Sequence, residues 1–207
     1  MTRLVLASRS PARLSTLRSA GIEPTVHVSG VDEDAALEES RRRSGELKPA
    51  DVALLLARAK AEDVAAQAGP DDLVLGCDSI LELDGAIHGK PADAAEAIRR
   101  WRVMRGGSGV LHTGHWLVDL RDAAAGGATG ATASTVVHFA DLTDAEIEAY
   151  VASGEPLHVA GAFTIDGLGG PFVTAIEGDH HNVVGLSLPL LRTLLADLGV
   201  AITELWR

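Results

Sequence analysis

The chain is 207 residues long and 46% hydrophobic, with 29 acidic against 18 basic residues and a net charge of −11. Such a length and apolar content allow a sizeable core and exclude general disorder, while the acidic balance argues against a nucleic-acid coat or a membrane-surface protein. Cys77 is the single cysteine, no apolar run reaches membrane-span length, and the apolar run after Arg3 is too short for a secretory signal, so one soluble, cytoplasmic domain over residues 1–207 is expected. Charge is uneven. Residues 1–105 hold 15 of the 18 Lys and Arg beside 17 acids, and the remainder holds 3 beside 12, which places any anion site in the first half.

Residues 4–7 read as a short buried strand. Ser8-Arg9-Ser10-Pro11 turns it into a helix with Ser10 at the N-cap, Pro11 at the first helical position, Leu14 and Leu17 facing the core and Gly21 past the end. A strand, a turn and a helix N-terminus offer unpaired N–H groups to an anion, and Arg9, Arg13 and Arg18 are expected around them. The plainer alternative is a capped helix with solvated arginines. A strand at 25–28 leads to an acidic loop at 29–34, whose Asp32-Glu33-Asp34 is either solvated or holds a hard divalent cation. Residues 38–46 read as a mobile surface segment. From Pro49 to about residue 68, Val52, Leu55, Leu56 and Ala59 fall at helical core spacing and leave Lys60 off the stripe, on the flank from which it can reach a cleft.

The stretch 73–91 carries the most chemistry. Leu73-Val74-Leu75-Gly76-Cys77 suits a strand covered on both faces, with Asp78 at its C-terminal end. Open α/β sheets bind ligands at that edge, and a carboxylate there has to reach a cleft or find a partner. Leu83-Asp84-Gly85-Ala86 reads as a tight turn, and Gly89-Lys90-Pro91 returns a lysine toward the same end of the sheet. The chain has only three lysines, so one held between Gly and Pro shifts the balance from a solvated surface position toward function. Cys77, among apolar neighbours that raise a thiol pKa, is expected to be packing.

Asp93 and Glu96 frame a capping box for a helix with Ala94, Ala97, Ile98, Trp101 and Met104 on one face, stopped by Gly106-Gly107. Strands at 110–118 and 134–139 form a long antiparallel hairpin through the Ala/Gly-rich 123–133, with a flexible tip. His112 and His115 fall on opposite strand faces and are not expected to share a metal. Thr143 and Glu146 form a second capping box, opening a helix through Ile147, Tyr150 and Val151 that Gly154 ends. Segment 160–172 is too glycine-rich for regular structure, which suits close approach of a flat ligand, and it lacks dinucleotide-binding or P-loop spacing. A strand at 172–176 precedes a turn at 179–186, where Asp179-His180-His181 is a weak metal candidate. Ser187 caps a last helix running toward Leu198.

The segments LVLASRSPARL, SGVDED, ARAKA, GCDS, GKP, HTG, AGAFTIDGLGGPF and HNVVGLSLPLL resemble, in order and spacing, the motifs of the Maf-like proteins, nucleoside triphosphate pyrophosphatases of bacteria and eukaryotes. The resemblance covers nearly the whole chain. It implies a mixed α/β fold with an elongated sheet flanked by helices, similar to inosine-triphosphatase proteins, with two lobes around a central cleft, and a homodimer. The implied reaction is hydrolysis of a nucleoside triphosphate to the monophosphate and diphosphate with Mg2+ or Mn2+. The implied proton acceptor is Asp78, which with Glu33 also holds the metal, and the implied phosphate contacts are Ser8, Arg13, Lys60 and Lys90. Because the family has also been linked to septum formation, a nucleotide-binding regulator of cell division is the alternative. Members acting on thymidine and uridine triphosphates carry Arg, Thr and Gln where this chain has Ala12, Ser79 and Asp166. An ionised carboxylate only accepts hydrogen bonds, so strict thymidine/uridine preference is expected to be lost in favour of bases that present N–H donors, such as guanine.

Overall fold

The computed structural model describes residues 2–121 and 127–207. In chain order these form β1 (Arg3–Leu6), α1 (Pro11–Ser19), β2 (Thr25–Val26), α2 (Glu33–Ser44), α3 (Pro49–Ala65), β3 (Asp72–Leu83), β4 (Ala86–His88) and α4 (Ala94–Met104). They continue as β5 (Ser108–Asp119), β6 (Ala128–Phe139), α5 (Asp144–Ala152), β7 (Val173–Glu177), α6 (His180–Val184) and α7 (Leu188–Asp197), with short 3₁₀ turns between and after them. The strands make one mixed sheet in the order β2-β1-β3-β5-β6-β7, with β4 also on β3. β1 runs parallel to β2 and β3, and the remaining pairs are antiparallel. This is the expected mixed α/β sheet flanked by helices.

The apolar run at 73–77 does form a central strand, but Asp78 does not end it. β3 continues to Leu83, paired with β5 from Leu73 to Glu82. On its other edge β3 meets β1 only at residues 72–75 and β4 only at 81–83. Among the described residues no strand covers that edge between these pairings, and Asp78 lies in the gap. The Asp84-Gly85 turn has φ of 48° and 79°, the left-handed pair that a two-residue hairpin requires. Two apolar clusters flank the gap along the same strands: Leu81, Trp101, Phe139, Ile147 and Tyr150 on one side, and Leu6, Leu17, Leu75, Leu117 and Leu191 on the other.

Several boundaries differ from expectation for local reasons. Residues 33–44 form a helix on the surface: Asp32 caps α2 by accepting from the Ala35 N–H, acids fill the first turn, and Arg41, Arg42 and Arg43 fill the last, which complements the helix dipole. β2 is limited to two residues. α3 stops at Ala65 with Leu55 only half-buried, its core face being Val52, Ala53, Leu56, Ala57, Ala61 and Val64. In α4, Ala94 is exposed and Arg100 is buried on the core face. β6 begins at Ala128, so much of the Ala/Gly-rich connection is strand, and the expected flexible tip falls largely on 122–126, outside the described residues. The turn at 179–186 is the short helix α6, capped by Asp179. The capping box at Thr143 is present in full.

Helix α3 lies unusually close to the sheet. A Cβ on Gly76 would sit 2.1 Å from the Ala57 carbonyl oxygen, and one on Gly114, its near neighbour across β3 and β5, 2.2 Å from that of Ala53. Two strand glycines facing a helix stripe of alanines bring the backbones into contact, and that approach sets the height of Lys60 above the sheet. Gly114→Ala is therefore expected to destabilise the fold by about 1–3 kcal/mol, the range for overpacking. Gly30→Ala, where an added Cβ meets nothing within 4 Å, should change stability by less than about 0.5 kcal/mol. Urea midpoints of the two variants decide the point, and equal midpoints would refute the close contact.

His112 and His115 point to different partners, as alternation predicts. His112 lies between Ser134 Oγ and Glu82 Oε2. His115 is fully buried, with Nδ1–H donating to the Thr113 carbonyl at 3.0 Å and Nε2 accepting from the Ser187 N–H at 2.8 Å, at the cap of α7. Acceptance at Nε2 needs the neutral ring, and burial lowers its pKa to about 4. Between that value and the ordinary one near 6.5 the unfolded chain binds a proton that the folded chain refuses. The stability contributed by His115 is thus present above pH 6.5 and lost as pH falls toward 4, by a total on the order of 3 kcal/mol. A His115→Gln variant should show a flatter loss of urea midpoint between pH 7.5 and 5; profiles parallel to the parent would show that His115 does not carry the effect.

Candidate functional site

The site is built where the N-terminus of α1 meets the uncovered edge of β3. Pro11 and the Ser10 cap start α1 directly after β1, and the Ser10 hydroxyl accepts from the Arg13 N–H. Arg13 then points inward. Its Nε–H donates to the Gly185 carbonyl at 2.8 Å, one terminal nitrogen donates to Cys77 O at 2.8 Å and Ser8 Oγ at 3.0 Å, and the other donates to Ser79 Oγ at 2.9 Å. Four of its five N–H groups are thereby committed within the protein. Arg9 is exposed, and Arg18, at the far end of α1, pairs with Glu23. Of the three expected arginines, Arg13 is the one whose contacts with Ser8, Cys77 and Ser79 build the site.

The Ser79 hydroxyl accepts from Arg13 and lies 2.9 Å from Thr113 Oγ1, which donates to the Asn182 carbonyl at 3.1 Å. Because the Thr113 proton is used on Asn182, Ser79 donates to Thr113, and the chain has one direction from Arg13 to α6. Ser8 Oγ accepts from both the Ser10 N–H and Arg13, so its remaining capacity is as a donor. Sequence reasoning singled out Ser8, Arg13 and Ser79 but missed Thr113 and Asn182; the only signal was their place in the HTG and HNVVG segments.

Across the same edge, α3 delivers Lys60 and the start of α2 delivers Glu33. Lys60 Nζ lies 2.5 Å from Asp78 Oδ1 and 2.8 Å from Glu33 Oε1. Lys60 and Asp78 are largely buried, whereas Glu33 is half-exposed. Burial pushes the Asp78 carboxyl above the usual carboxylate range, against the pull of the Lys60 ammonium and then the Arg13 guanidinium. Two carboxylates converging on one cation from separate helix and strand make an all-oxygen donor set, which suits a hard divalent ion that keeps several waters. Cys77 is fully buried and its thiol is pushed up to about 12, mainly by burial, so it packs.

Lys90 is exposed, and the Gly89 carbonyl before it is held by Arg100 and by the Gly161 N–H. Ala12 and Asp166 come together although far apart in sequence: with Ser15, Thr16, His180 and His181 they line a cavity of about 270 Å3. Asp166 is exposed and accepts from the Thr164 hydroxyl. Ser79 is not among the lining residues. In Asp179-His180-His181 the ligand-type atoms lie within 4.8 Å of one another; Asp179 Oδ1 accepts from the His181 backbone and lies against its ring Nδ1, while Oδ2 is buried without a hydrogen-bond partner.

The glycines of 160–172 are explained by internal packing. A Cβ on Gly161 would strike Leu81, one on Gly167 would strike Glu155, and one on Gly169 would strike the Tyr150 hydroxyl. The Glu155 carboxylate accepts from the Leu168 and Gly169 N–H groups and from the Tyr150 hydroxyl.

An open mixed α/β sheet thus holds a partly compensated buried acid at a break in its strand pairing, beside the N-terminus of α1 and the cations Arg13 and Lys60. The chain belongs to the Maf-like protein family, whose sequence model matches residues 3–198. A nucleoside triphosphate pyrophosphatase from Streptomyces coelicolor is 60% identical over 205 residues, covering 99% of this chain and 94% of that protein. One from Salinispora tropica is 61% identical over 208 residues, covering 99% and 87%. Among solved structures, a HAM1 protein from Coxiella burnetii is similar over 95% of this chain and 100% of its own, at 17% identity and a TM-score of 0.45.

Proposed function

We propose that this chain hydrolyses a nucleoside triphosphate to the nucleoside monophosphate and diphosphate, with Asp78 as the proton acceptor. The observation that carries the reading is the Asp78 carboxyl at the gap in β3, raised by burial and paired with Lys60. Relatives of about 60% identity along almost the full chain bear the name of this activity. Attack at the α-phosphorus needs a water relieved of its proton and a leaving diphosphate whose charge is neutralised. A base with a raised pKa is better matched to neutral pH than an ordinary carboxylate. Lys60 uses two of its three N–H groups on Asp78 and Glu33 and keeps one for a phosphate oxygen. Arg13 keeps one N–H, Ser8 keeps its hydroxyl proton, and Lys90 is free to reach out.

Mg2+ or Mn2+ fits the donor set, and Glu33 and Asp78 would hold it. Such an ion supplies Lewis-acid neutralisation of phosphate charge. For the base, the cavity lined by Ala12, Asp166, His180 and His181 is the binding region in this reading, with Asp166 as an acceptor toward N–H donors.

Asp78→Asn should lower turnover at least ~100-fold in a folded protein, the usual contribution of a positioned base. Diphosphate release measures this, and near-normal turnover removes Asp78 from the mechanism. The acid limb of the pH profile of kcat/KM should lie above the ordinary carboxylate range, with activity lost as pH falls through it. In Lys60→Met the burial of Asp78 is less compensated, so the limb should move further up; an unmoved limb assigns it to another group. On a panel of the common nucleoside triphosphates and 7-methylguanosine triphosphate, the parent should lack strict thymidine/uridine preference, and Asp166→Gln should change the ranking. A strong thymidine or uridine preference that survives Asp166→Gln would show that Asp166 does not read the base.

A further inference from the structure

Arginine 100 lies on the core face of α4, beside Trp101, with its side chain only 4% exposed. An arginine there runs against the apolar pattern of the helix, and its contacts form a closed ring. One terminal nitrogen donates to the Gly89 carbonyl at 2.5 Å and the other to Glu96 Oε1 at 2.5 Å. The second Glu96 oxygen accepts from the Ala92 N–H at 2.8 Å. The Arg100–Glu96 pair thus grips the backbone on both sides of Lys90-Pro91. The Gly161 N–H adds a second donor to the same Gly89 carbonyl at 3.0 Å, and Trp101 Nε1–H ties the adjacent Ala162 carbonyl at 2.8 Å.

Within the gripped span Pro91 is buried and has a fixed φ. The carbonyl before Lys90 and the amide after Pro91 are both held by charge-assisted hydrogen bonds, the stronger kind. What remains mobile is the Lys90 side chain, which is exposed. Arg13 and Lys60 are largely committed to protein acceptors, whereas the exposed Lys90 side chain makes no ion pair or hydrogen bond among the described residues, which leaves its whole ammonium for an incoming anion. We infer that Arg100 and Glu96 form a positioning clamp that aims Lys90 at the triphosphate. The inference rests on the reading of Lys90 as a phosphate contact.

The test is a double-mutant cycle on the full-length protein, with kcat and KM for diphosphate release and urea midpoints for each variant. Arg100→Met keeps the stem of the side chain and removes both donors; it should raise KM about 10-fold with a smaller change in kcat, as misplacing a binding group does. In a Lys90→Ala background the same change should shift KM less than about 2-fold, because the residue being positioned is gone. Arg100→Lys, which keeps the charge but cannot reach both acceptors with a planar fork, should rescue only in part. If Arg100→Met does not fold, Glu96→Gln replaces it in the same cycle, with the same non-additivity expected. Equal KM effects with and without Lys90, or a fall in kcat alone, overturn the clamp and leave the role of Lys90 standing. A Lys90→Ala protein with unchanged kcat and KM overturns that role and the clamp together, while loss of turnover in Asp78→Asn would still support the hydrolase.

Discussion

The guanidinium of Arg13 occupies the stretch of β3 left without a strand on its β1 side, and most of the site depends on that one placement. β1 leaves β3 after Leu75 and β4 joins only at Leu81, so Cys77 turns a carbonyl toward a region with no strand to satisfy it. Arg13 supplies the missing donor and with its other nitrogens reaches Ser8, Ser79 and Gly185. One side chain therefore joins α1, the central strand and the end of α6. A lysine, with a compact ammonium and no planar fork, does not match this set of acceptors. Because buried carbonyls left unpaired are costly, the arrangement is held as a unit.

The same gap explains how a buried acid is kept. Burial disfavours the ionised form of Asp78, and only the nearness of Lys60 and Arg13 offsets it. Lys60 can stand that close because Gly76 and Gly114 lack side chains and let the alanine face of α3 rest on the strands. Glu33 completes the arrangement only because α2 starts where it does, with Asp32 as cap. Stability and reactivity are thus coupled here: the glycines and caps that fix the helices also fix the distances among the charged groups.

The Lys90 arm is built differently. Its support comes from α4 and the 160–162 turn, through Arg100, Glu96 and Gly161, on the side of the sheet where Trp101, Phe139 and Tyr150 pack edge to face. The Arg13 and Lys60 arms stand on the other elements, α1 and α3.

By itself the sequence determined the first strand to within a residue, the strand character of 73–77, the caps at Ser10, Thr143 and Ser187, the Asp84-Gly85 turn, the packing role of Cys77 and the family. These rest on local rules: an apolar run, a capping side chain or a left-handed turn is written within a few residues. It also pointed to Asp78, Lys60 and Glu33, since a lysine off a helix stripe and an acid after an apolar run both need partners. Only the tertiary structure decided that Asp78 sits within a strand at a pairing gap, that four N–H groups of Arg13 are committed inside the protein, and that the glycines of 160–172 serve contacts with Leu81, Tyr150 and Glu155. It alone revealed Arg100 as a buried cation and brought Ala12 beside Asp166. Each of these depends on which distant segment lies opposite, and hydrogen-bond satisfaction across long sequence separations is invisible to periodicity.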